Sequence, residues 1–172
     1  MEYTFTLKYQ LLDGGDPTGL VERLGEAGCE DALVGIGQPG RLALEFTREA
    51  DSADEAVCSA LADVRKAVPS ARLIEVAPDL VGLTDVAEIV GVTRQNMRKL
   101  MLAHPDSFPP PVHEGSSSLW HLADVLDWLQ GRGYELARDV LEVACVAWQV
   151  NVMKEGRRLP RPVRGEVEAL VG

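Results

Sequence analysis

The period of apolar positions changes several times along the chain, and each change marks an element. Tyr3, Phe5, Leu7, Tyr9 and Leu11 alternate with Thr4, Thr6, Lys8 and Gln10, the period of two that predicts a half-buried strand. The turn DGGDPTG follows, with Asp16 placed to cap a helix and Pro17 to open it. Leu20, Val21, Leu24 and Ala27 form that helix's apolar stripe. DALVGIG (31–37) and RLALEF (41–46) read as two further strands joined by a QPG turn. Ser52 or Asp54 is positioned to cap a second helix, with Ala56, Val57, Ala60, Leu61 and Val64 on its inner face. Pro69 follows its end, and ARLIEV (71–76) is a fourth strand.

The order β-α-β-β-α-β predicts an α+β, ferredoxin-like unit over residues 1–78, with antiparallel strands and both helices on one face. Such an order carries no chemistry of its own. APDLVG (77–82) reads as a linker into a second unit over 79–130. There LTDVAEIV (83–90) and TRQNMRKL (93–100) repeat apolar residues at helical spacing on either side of Gly91. Thr84 is expected to cap the first helix, with Asp85 favourable near its positive end. Val86, Ala87 and Val90 face inward, and Gly91 supplies the left-handed residue that ends the helix. Val92 plugs the corner, Thr93 caps the second helix, and Met97, Leu100 and Met101 return to the core.

Charge changes the picture here. The 172-residue chain has a formal net charge of -10, which argues against a general nucleic-acid coat, because sequence-independent affinity comes from cations on phosphates. The acidity is uneven: -8 over residues 1–80, -3 over 81–130 and +1 over 131–172. Within the second helix of the pair, Arg94, Gln95, Asn96, Arg98 and Lys99 face outward with Thr93 at their leading edge and no carboxylate among them. Arg pairs with guanine, Asn or Gln with adenine, and Lys and Thr hold phosphates. A small residue at the crossing, a glycine four later, an apolar plug and apolar returns meet successive requirements of a DNA-binding helical pair. A solvated helical hairpin is the plain alternative.

This pattern resembles the helix-turn-helix of bacterial and phage DNA-binding proteins. The sequel FPPPVHEGSSSLWHLADVLDWLQ reads as strand, small polar turn, a second strand ending at Trp120, and a helix carrying Asp124, Val125, Trp128 and Leu129. Residues 81–130 thereby resemble the winged helix-turn-helix of AlpA-type regulators, excisionases and the MerR superfamily. The resemblance implies a wing over His113 to Ser118 that touches the DNA backbone or minor groove. This wing has Glu114 and no Arg or Lys, so contacts there fall to Ser116, Ser117 and backbone N–H groups. Trp120, Trp128 and Leu129 read as core. His104, His113 and His121 lack ligand spacing and read as surface or capping residues, with no metal expected.

A long helix is predicted from Arg132 to about Met153. One stripe is Leu136, Val140, Val143, Ala147 and Val150, and another is Leu141, Ala144, Cys145, Trp148 and Val152. Two apolar faces need two partners: the DNA-binding unit, and either the N-terminal unit or the same helix of a second chain. A homodimer would present two recognition helices to a palindrome. In the tail KEGRRLPRPVR, Lys154, Arg157, Arg158, Arg161 and Arg164 face one acid, Glu155. Held extended by prolines, these arginines suit a phosphate backbone or minor groove, or form a solvated tail.

Cys29, Cys58 and Cys145 lack paired spacing and read as small buried residues. No apolar run is long enough to span a bilayer, and the alternating N-terminus is unlike a signal peptide, so a cytoplasmic location is expected. GGDPTG precedes a helix but carries no cation, and no catalytic constellation accompanies it; neither an enzyme nor a cofactor is expected. The sequence therefore reads as a sequence-specific regulator of double-stranded DNA, of bacterial or phage type, with Thr93 opening the recognition helix. The alternative is a protein-interaction adaptor, such as an antitoxin or phage packaging component, gripping a partner through its N-terminal unit.

Overall fold

The structure, a computed structural model, describes residues 1–12 and 16–171. Its first half contains β1 (Glu2–Gln10), α1 (Pro17–Ala27), β2 (Ala32–Gly35), β3 (Arg41–Glu49), α2 (Ala53–Ala67) and β4 (Arg72–Ala77). The four strands form an antiparallel sheet in the order β2-β3-β1-β4. Pairing of Phe5 with Phe46 and Leu7 with Leu44 places the alternating apolar residues of both central strands on one face, where Tyr3, Phe5, Leu7, Leu42, Leu44 and Phe46 are buried. α1 and α2 cover that face with Leu20, Leu24, Ala56, Val57, Ala60 and Val64. Asp16 caps α1 by accepting from the Thr18 and Gly19 N–H groups. Residues 13–15 of the expected turn lie outside the described residues. Ser52, rather than Asp54, caps α2 through the Glu55 N–H.

β2 is shorter than the sequence pattern implies, and β3 runs three residues past Phe46. The extension pairs with Glu2–Thr4 of β1 and turns Arg48 inward. Its guanidinium donates to Asp31, Ser59, Asp63 and the Gly28 carbonyl at 2.7–3.0 Å, so a charged position takes the core side of a strand at satisfied cost.

The second half contains β5 (Leu80–Val81), α3 (Leu83–Val90), α4 (Arg94–Ala103), β6 (Trp120–His121), α5 (Leu122–Gly131), α6 (Arg138–Gly156) and α7 (Gly165–Val171). The expected linker is thus partly a strand: β5 pairs antiparallel with β6. α6 begins at Arg138, six residues later than its apolar pattern suggests. Gly133, at φ +87°, turns the chain away from α5, and residues 132–137 form the connection.

Two apolar cores result, and α6 serves both. Val143 and Ala147, with Val146 and Val150, complete the sheet core. Ala144, with Val140, Leu141 and Trp148, completes a second core of Val86, Ala87, Met97, Trp120, Leu126 and Leu129. Leu136 and Val140 therefore side with the second core, whereas Cys145 and Val152 are exposed. The stripes adjoin along the helix instead of opposing, which leaves a third, solvated face. Both stripes of α6 thus find partners within the chain, although Val146 and Val150 are only partly covered. Cys58 is likewise exposed, and only Cys29 is a buried cysteine. No helix among the described residues is long and apolar enough to cross a membrane.

Candidate nucleic-acid interface

The helical pair is built around a tight corner. α3 is capped by Gly82, whose N–H donates to the Asp85 carboxylate at 2.9 Å; Thr84 lies inside the first turn and is not the cap. At the other end Gly91 sits at φ +75°. Its N–H and that of Val92 close the helix on the Glu88 and Ala87 carbonyls, a left-handed termination that a side chain would strain. Ala87 is buried at the crossing, with Val86 and Met97 beside it. Thr93 caps α4, its hydroxyl accepting from the Asn96 N–H at 3.1 Å.

Thr93, Arg94, Gln95, Asn96, Arg98 and Lys99 are all exposed. Their side chains form no ion pair, and apart from the Thr93 cap no hydrogen bond, with any described residue. Taking buried Met97 as the inward direction, helical spacing puts Gln95, Lys99 and Leu102 outermost, Arg94 and Arg98 on one flank, and Asn96 on the other. On the Asn96 flank a cavity of about 380 Å³ is shared with Lys99, Leu100 and Tyr134. Beyond Leu102 a second cavity of about 490 Å³ reaches Glu114 and Ser118. The leading turns of α4 thus present amide and guanidinium donors with nothing already bound to them.

A short hairpin follows α4. His113 bridges Leu119, the Val112 N–H donates to the Leu119 carbonyl at 2.7 Å, and Ser116 and Ser117 are exposed at its tip. Aromatic packing fixes the hairpin to the helices: Phe108 meets Trp120 and Trp128 edge-on at 6.1 and 5.0 Å. The Trp120 indole also donates to the Pro109 carbonyl at 3.0 Å. Trp120 and Leu129 are core residues, but Trp128 is half-buried, with the Arg132 guanidinium over its ring at 4.6 Å. Arg132 also contacts His104, which ends α4. His113 is exposed, whereas His121 is largely buried, stacked on Trp148 and bonded to Asp79.

The basic tail is not gathered with α4. Lys154 donates to the Ile74 carbonyl at the edge of β4, Arg158 pairs with Glu155, and Arg157 lines a cavity with α2 residues. Arg161 and Arg164 lie in the irregular stretch before α7 and are exposed. Sequence reasoning missed Tyr134 and Arg132 beside α4, and missed the buried node formed by Asp79, His121 and Asn151. Its one signal was Asn151, an amide set between two valines in QVNVM. No group of three or more His, Cys, Asp or Glu among the described residues is arranged to hold a metal ion. Neither a family model, nor a curated protein, nor a solved structure matches the chain.

Proposed function

We propose that the protein is a sequence-specific DNA-binding regulator in which α4 enters the major groove. On this reading residues 79–130 act as a winged helix-turn-helix and the sheet with α1 and α2 as a ferredoxin-like companion unit. The observation that carries the reading is the exposed surface of α4, where Arg94, Gln95, Asn96, Arg98 and Lys99, three of them cationic, stand uncommitted beside the capping Thr93 at the end of a tight corner. Arg94, Gln95, Asn96 and Arg98 are nearest base edges, Lys99 serves phosphate, and Ser116 and Ser117 touch the backbone beside the groove. The acidic remainder repels DNA elsewhere, so binding depends on the right sequence and on modest salt.

The test is selection of duplexes from a random pool by the full chain, followed by fluorescence anisotropy across a salt series. An enriched motif whose binding disappears with Arg94→Ala and Arg98→Ala supports the reading. Absence of enrichment, or weak binding indifferent to both changes, refutes it. One observation favours the adaptor instead: β2 is an open sheet edge with Leu33 74% exposed, a template onto which another chain can add a strand. Co-purification of a partner in fixed ratio, lost with Leu33→Lys, would identify that role.

A further inference from the structure

α2 and α6 do not close against each other along their full length. Between them lies a groove of about 510 Å³ walled by Val57, Leu61, Leu73, Val146, Val150 and Met153. Lys154 and Arg157 from the end of α6, and Asp54 and Cys58 from α2, complete its lining. Lys154 is already tied to Ile74 and Glu155, which leaves Arg157 as the lining cation without an ion pair among the described residues.

The same chain carries a segment with the complementary surface. α7 is exposed throughout, with Val167, Leu170 and Val171 at 43%, 83% and 79%. The spacing of those three residues puts them on one side of the helix, and Glu166 and Glu168 flank the stripe. An amphipathic helix with a bare apolar stripe lacks a partner among the described residues of its own chain. The connection explains why. Arg157 lines the groove, so to reach it α7 would have to reverse direction across residues 158–164, where Pro160 and Pro162 favour an extended course. A proline-bearing connection leading to a helix that fits a groove at the connection's own root is the arrangement from which reciprocal exchange between two copies follows.

We infer that α7 of one copy seats in the α2/α6 groove of a second copy, and the second returns its α7 to the first, forming a two-fold dimer. Val167, Leu170 and Val171 enter the groove, and a flanking glutamate meets Arg157. This inference stands apart from the DNA reading: the dimer exists or fails without DNA.

Cys58 provides a direct test, because it is exposed within the groove. The full chain carrying Leu170→Cys and Cys145→Ser is oxidised with oxidised glutathione and separated without reductant. Cys29 does not compete, since it is buried and its thiol is pushed up to about 11 by desolvation. The expected product is a covalent dimer that Cys58→Ser abolishes. A link within one chain, a dimer that survives Cys58→Ser, or no link each overturns the inference. Sedimentation of the unmodified protein should show a dimer that Leu170→Asp converts to monomer; Leu170 is too exposed for that change to unfold the chain. A monomeric unmodified protein at tens of micromolar likewise overturns it.

Discussion

The Asn151 side-chain amide donates to the Asp79 carboxylate at 2.8 Å, and that carboxylate lies 2.6 Å from the His121 ring. Asn151 also mimics a paired strand, accepting from the Val76 N–H and donating to the Val76 carbonyl. One side chain of α6 therefore closes the edge of β4 and holds the segment that leads into the helical pair. Removing it leaves three buried partners without substitutes. Asn151→Ala should cost about 2 to 4 kcal/mol by denaturant titration, since each buried polar group stranded costs about 1 to 3 kcal/mol and relaxation recovers part. A loss under about 0.5 kcal/mol would mean that water replaces the amide. Asn151→Asp should also destabilise, because it sets a second carboxylate against Asp79 and removes the amide donor.

Arg48 makes five hydrogen bonds that join β3, α2 and the turn before β2. Arg48→Met is expected to cost about 2 to 4 kcal/mol, toward the lower part of the buried-pair range because Asp31 and Asp63 keep access to water. The hydrogen bond from Arg48 holds the Asp31 carboxyl below its ordinary range, against an opposing desolvation. A depressed folded value contributes stability that is fully present above the unfolded value of about 3.9 and is lost as pH falls through the folded one. The gap between the two proteins' urea midpoints should hold steady from pH 5 to 7 and narrow below about pH 4. A gap independent of pH would assign the loss to packing and neutral hydrogen bonds.

The first sheet was legible because Tyr3, Phe5, Leu7 and Tyr9 alternate without interruption, and the corner of the helical pair because Ala87, Gly91, Thr93 and Met97 occupy the positions that corner requires. Short strands were not: Leu80 and Val81 form a strand only because Trp120 and His121 lie opposite them, a long-range condition that no local pattern records. The start of α6 was misjudged because Leu136 continues its apolar rhythm although Gly133 has already broken the helix. Pairing also separated cations that composition joined. Lys154 and Arg158 share a basic run with Arg161, yet the first two are committed to β4 and Glu155, a difference set by where the end of α6 packs.

Gly91 isolates the backbone contribution to the corner. A Cβ added there meets nothing within 4 Å, so the cost of Gly91→Ala is conformational alone, about 1 kcal/mol for a left-handed residue. Ala87 behaves oppositely, since it is buried between α3 and α4. Ala87→Leu forces the helices apart and should cost about 1 to 3 kcal/mol. If α4 is the recognition helix, Ala87→Leu abolishes specific DNA binding, while Gly91→Ala retains it at temperatures where the fold survives. Binding unchanged by Ala87→Leu, in a folded variant, would place the contact surface elsewhere.

The exposed cations divide into those that read bases and those that neutralise phosphate, and salt separates them. Arg94→Ala should weaken the selected duplex by about 1 to 3 kcal/mol and leave random duplexes nearly unaffected. Lys99→Ala should weaken both alike and lower the salt slope by about one. Arg158→Ala should have a smaller effect on both than Lys99→Ala, because Glu155 lies 3.4 Å from that guanidinium, and an arginine with a neighbouring counter-charge releases less from the DNA atmosphere. Equal losses on both duplexes from Arg94→Ala would make it a phosphate contact and shift base readout to Gln95 and Asn96. A large salt-dependent loss from Arg158→Ala would require its ion pair to open on binding and would bring the tail into the interface.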